Sequence, residues 1–177
     1  MSSAIAQRVV LTPHPATPGD AVHEFEVVVR ATSDGLLTLE YSLRAELSRL
    51  RIPAGHPQRA DGLWKHTCFE AFIGLSDATE YWEFNFSPAL QWAAYRFDAY
   101  RQGMSPLELA SLPELAIQRS QQRLELSAVL HLPPRGRRRL ALAGVIEEDN
   151  GRLGYWAGRH PAGGPDFHHP DAYTVEL

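Results

Sequence analysis

The chain is poor in the features that would assign it quickly. It has one cysteine in 177 residues, so Cys68 has no partner for an intramolecular disulfide. Its surroundings alternate like a strand, with no helix start to stabilise a thiolate, so Cys68 reads as a buried small hydrophobe rather than a nucleophile. Methionine is nearly absent too, with only Met1 and Met104. No apolar run is long enough to cross a bilayer as a helix, and "MSSAIAQRVVLTPHP" contains no run of signal-peptide length. The expectation is a cytoplasmic protein with no membrane partner. Basic charge is also lacking, with 17 Lys and Arg against 21 Asp and Glu. A net charge of −4 argues against a nucleic-acid partner. The local exception, "PRGRRRL" (134–140), reads as a solvated turn.

Catalytic signatures are scarce as well. "PAGGP" (161–165) precedes no helix and lacks the Gly-Lys-Ser/Thr ending of a phosphate loop. Ser87 in "FNFSPAL" sits in no nucleophile elbow. Glu70 and Glu83 could imitate the carboxylate pair of a retaining glycosidase, but a flat sheet without a lid would not exclude water. The expectation is therefore a non-enzyme.

What the chain does have is a period of two. "EFEVVVR" (24–30), "LLTLEYSL" (36–43), "CFEAFIGL" (68–75), "YWEFNFS" (81–87), "QWAAYRF" (91–97), "RLELSAVLHL" (123–132), "LALAGVIEE" (140–148) and "LGYWAG" (153–158) are strand-like. "ATSDG" and "DNGR" mark hairpin turns. The only predicted helix is "SPLELASL" (105–112), with Ser105 as cap and Pro106 at its first position. An antiparallel β-sandwich of jelly-roll type follows, as a single domain over 1–177. The Pro- and Gly-rich stretches 51–62 and 159–171 read as long ordered loops, the second lying over the mouth of the sandwich.

Alternation sorts the aromatic stretch "YWEFNFSPALQWAAYRF" (81–97) into two faces. Trp82, Phe84 and Phe86 form a core face, as do Phe69, Ala71 and Ile73. If the two strands pair, Glu70 must lie on the same side as Glu83 and Asn85, directly across or one diagonal away. In the third strand Ala93, Tyr95 and Phe97 are assigned to the core. Trp92 and Arg96 are left on the polar side, with Arg96 as partner for the two carboxylates. Rings beside amides and carboxylates suit a polyol or other polar ligand. A structural ion network on a solvated face is the competing reading.

"GLWKHTCFEAFIG", "YWEFNFSPALQWAAYRF" and "YRQGM" together resemble bacterial DOMON-like proteins related to family 9 carbohydrate-binding modules. The resemblance is specific over 62–104 and extends to the final "DFHHPDAYTVEL". It implies a jelly-roll β-sandwich that binds a saccharide or haem. By motif position Trp64 is similar to a first sugar clamp, Trp156 to a second, Glu70 to the sheet carboxylate and Asn85 to the amide. The additional carboxylate of Glu83 departs from a neutral-sugar site and leaves room for a cationic or metal-bridged ligand.

No cofactor is expected. Haem needs axial ligands, and Met104 has no positioned histidine partner. The histidines and aspartates of "HPAGGPDFHHPD" (160–171) lack the pairing of a zinc site. The resulting candidate is a ligand-binding domain using Trp64, Glu70, Glu83, Asn85, Trp92, Arg96 and Trp156. The alternative is a structural domain that presents the same tryptophans to a protein partner or a second copy. A concave face would favour the first, and a flat apolar patch the second.

Overall fold

A computed structural model describes residues 5–133 and 136–177. It is an all-β sandwich of two sheets, and among the described residues helix is limited to three short 3-10 turns. The smaller sheet has five strands, in the order Ile5–Val10, Val22–Ala31, Leu36–Ala45, Arg123–His131, Glu114–Arg119. The larger has nine. Its path runs Thr12–Pro13, Leu153–Ala157, Arg138–Glu147, Cys68–Leu75, Tyr81–Phe86, Gln91–Phe97, Gln58–Arg59. Val175–Glu176 adds to Arg138–Glu147, and Ser105–Pro106 to Gln91–Phe97. The pairings are antiparallel except for Gln58–Arg59, which runs parallel to its neighbour.

Both expected hairpins form, with Gly35 and Gly151 at positive φ where an L side chain would be strained. Phe25, Tyr41, Leu43 and Leu126 from the smaller sheet meet Phe69, Phe84, Phe86 and Leu142 from the larger. Tyr41 stacks on Phe69 at 5.2 Å, and its hydroxyl donates to the main-chain carbonyl of Glu70 at 2.9 Å. The Tyr41 phenol between the sheets thereby pins the strand that carries Glu70.

The predicted helix at 105–112 does not form. Ser105–Pro106 extends along Gln91–Phe97, and Leu107 N–H donates to Ala94 O at 2.9 Å. Leu107 and Leu109 pack against the core with a period of two, so burial along a sheet edge overrides the cap signal. Glu114–Arg119, not anticipated as a strand, packs Leu115 and Ile117 inward by the same alternation.

In the basic run, Pro134 and Arg135 lie outside the described residues. Arg138 and Arg139 are strand residues rather than turn residues. Arg138 is buried, and Arg139 lies over the ring of Tyr173 at 4.5 Å.

Candidate functional site

The register between Cys68–Leu75 and Tyr81–Phe86 sets Glu70 opposite Asn85 and Phe72 opposite Glu83. Glu70, Glu83 and Asn85 thus share the outer face, as the parity argument requires. Phe84 and Phe86 turn inward into the core, with Trp82 partly buried against it.

The third strand is reversed relative to expectation. Phe86 pairs with Trp92 and Trp82 with Arg96. Trp92 therefore faces the core between the sheets, where Arg59 covers its ring at 5.5 Å. Arg96 shares the inner parity but lies where the sandwich opens to solvent. It pairs with Glu80 at 2.9 Å and Asp98 at 3.4 Å, not with the buried carboxylates. Ala93, Tyr95 and Phe97 take the outer face instead. Trp156 is also misplaced by motif position. It pairs with Gly144 and points into the core beside Phe25, while its neighbour Tyr155 faces outward.

The outer face is neither flat nor solvated, which overturns the premise that no lid exists. The turn Leu63–Lys65 and the loop carrying Phe167 and Ala172 pack onto it, forming a second apolar cluster with Phe72, Tyr81, Phe97 and Ala141. The 159–171 loop therefore covers the outside of the larger sheet rather than the mouth of the sandwich. Under this cover lies a cavity of about 400 Å³. The sheet contributes Glu70, Glu83, Phe97, Val145 and Tyr155 to it, and the loops contribute Trp64, Arg101, Phe167 and His168 among others. Asn85 is fully buried and does not line the cavity. Its Nδ2 donates to Glu83 Oε1 at 2.9 Å, so it positions Glu83 from below.

Burial dominates the electrostatics. Glu70 is 3% exposed and Glu83 4%. Loss of hydration pushes the Glu70 carboxyl far above the ordinary range, and the nearby Glu83 pushes it further. Glu83 is raised to about 7 by burial, against opposing contributions from the Asn85 hydrogen bond and Arg101. His168 is lowered to about 4, mainly by burial among Phe72, Tyr81 and Phe97, with Arg101 adding to the effect. Its Nδ1 lies 2.8 Å from Tyr81 Oη, which already accepts from Arg101 N–H at 3.2 Å. The other ring nitrogen, Nε2, lies 3.7 Å from Glu83 Oε2. Arg101, a non-glycine residue at φ 54°, is held outward by Asp166 at 2.8 Å.

Tyr155, Phe167, His168 and Arg101 went unrecognised in the sequence because they come from distant segments whose convergence no local pattern marks. The exception is His168, flagged only as part of a histidine-rich loop. Another cavity, of about 510 Å³, runs between Arg59 and Leu112, but no buried charged group lines it.

No family model matches the chain, and no curated protein matches it in sequence. Among solved structures, a "putative carbohydrate-binding protein" from Bacteroides uniformis is similar in fold. Its TM-score is 0.63 at 13% identity, with 93% of this chain and 84% of that one covered.

Proposed function

We propose that the chain is a non-catalytic binding domain for a saccharide or another small polar ligand, held in the cavity over the larger sheet. The observation that carries this reading is the pairing of two buried carboxylates with an aromatic-lined cavity of about 400 Å³. That volume is within the range of small-molecule sites, which join apolar walls to a few fixed polar groups. Buried carboxylates also cost stability, and a ligand that hydrogen-bonds them gives that cost a use. Glu70 and Glu83 would bond the ligand, Trp64, Tyr155 and Phe167 would contact its apolar surfaces, and Asn85 would hold Glu83 in place. Trp92, Arg96 and Trp156 have no part in this site. Concavity favours a small ligand over a protein partner, because the loops of the chain already occupy the apolar outer face. The fold neighbour is described as carbohydrate-binding, which agrees with this reading without naming a ligand.

A thermal-shift panel of neutral, acidic and amino saccharides tests it, because a ligand that binds only the native state raises the midpoint. Trp64→Ala should abolish the shift while lowering unliganded stability by less than about 1 kcal/mol, since Trp64 is only partly buried. A panel with no stabilising member, or a full shift in Trp64→Ala, would refute the proposal.

A further inference from the structure

The polar atoms without a partner beneath the cavity are both oxygens. Glu70 Oε1 and Asn85 Oδ1 are buried without a partner. Asn85 Nδ2 donates to Glu83 Oε1 at 2.9 Å, and Glu70 Oε1 receives no hydrogen bond from it. Two carboxylates thus share one wall.

Among the described residues no cation stands between them. Arg101 is tied to Asp166, and its side chain is half exposed. His168 is wedged among rings, with Nδ1 on Tyr81 and Nε2 beyond hydrogen-bonding distance of Glu83. The other titratable neighbours are neutral groups. Cys68 is buried on the same face, and the Tyr95 hydroxyl donates to Asp61 at 2.6 Å. Trp64, Phe97, Tyr155 and Phe167 contribute rings to the same cavity.

We infer that the cavity takes a ligand bearing a protonated amine, with the ammonium seated at Glu70 and Glu83 and the aromatic rings around it. This rests on the polar-ligand reading above and narrows it to an amino sugar or a similar amine. A hydroxyl brings one donor and two lone pairs, whereas an ammonium brings three donors and no acceptor. With the carboxylates ionised, only the second can donate to both without bringing a further acceptor. The rings that line the cavity can add cation–π attraction. Seating the cation requires the carboxylates to be ionised, so binding expels the proton or protons that burial retains on the pair. The sign follows directly: affinity rises with pH while the amine stays protonated, and falls as the carboxylates are neutralised.

The probes are glucosamine, glucose and N-acetylglucosamine, titrated calorimetrically into the full chain at about pH 7 in two buffers of different ionisation heat. Glucosamine should bind at least about tenfold more tightly than either neutral sugar. Its apparent heat should differ between buffers, reporting proton release, and its affinity should drop as the pH is lowered to about 5.5. Glu83→Gln, with folding checked by thermal unfolding, should remove the preference for glucosamine over glucose. Glucose or N-acetylglucosamine binding as tightly as glucosamine would overturn the inference while the polar-ligand reading stood. No binding by any of the three, together with no stabilisation across the saccharide panel, would overturn both.

Discussion

Glutamates on the outward positions of the two sheets meet opposite fates. On the smaller sheet, Glu40 pairs with Arg30 across neighbouring strands, and both side chains are nearly half exposed. Glu24 and Arg44 repeat the arrangement at 3.3 Å. Such solvated pairs contribute little, because water and salt already screen them. On the larger sheet, Glu83 occupies an equivalent outward position yet is almost wholly buried, with an amide and a neutral histidine for neighbours. The strand alternation is the same in both sheets. The difference is a cover of loops, which turns an ordinary polar face into a cavity wall with strongly perturbed acids.

Stripping the cover should have the largest effect. Phe167 is 8% exposed and packs on Phe72 at 6.4 Å. Phe167→Ala should lower unfolding free energy by about 3 kcal/mol in urea titrations, from lost burial and the cavity left behind. It should also admit water to Glu83 and shift its titration down toward the ordinary carboxylate range. An unchanged Glu83 titration, followed by NMR in the variant, would show that the loop is not what dehydrates this group.

Removing the buried acid is the next test. Burial raises the folded-state pKa of Glu83 to about 7, above the ordinary glutamate value. Its contribution to stability is therefore fully present below the lower value and is lost as pH rises through the upper one. Glu83→Gln should accordingly be more stable than the parent at about pH 8, by up to roughly 3 kcal/mol. The gap should close toward about pH 5. His168, lowered to about 4, acts with the opposite sign: its contribution is present above the ordinary histidine value and is lost as pH falls through 4. Because His168 is retained in both proteins, the difference between them reports chiefly Glu83. A gap that widens on acidification would contradict the assignment.

The mirror-image substitution on the solvated sheet should do little. Glu40→Gln should change stability by less than about 0.5 kcal/mol. Smallest of all is Arg96→Ala. Its exposed pairs with Glu80 and Asp98 predict a change within about 0.5 kcal/mol and no loss of ligand-induced stabilisation. Loss of binding in that variant would return Arg96 to the site.

The sequence by itself determined the all-β class, the two hairpins, and the common side of Glu70, Glu83 and Asn85. These depend on local alternation and turn chemistry, which a strand carries wherever it is placed. It could not decide the side of Trp92, because both faces of the larger sheet are buried and aromatic content distinguishes them poorly. That choice belongs to the hairpin register, in which Phe86 pairs with Trp92 and fixes every residue after it. The same limit misplaced Trp156, whose neighbour Tyr155 has equal aromatic character but the opposite parity. Only the tertiary structure decided that the outer face has a cover, and with it the perturbed acids and the cavity. Phe167 and His168 reach Glu70 and Glu83 from about eighty to a hundred positions away in the chain. Contacts of that range leave no periodicity in a sequence, because they arise from packing between segments rather than from the repeat within one.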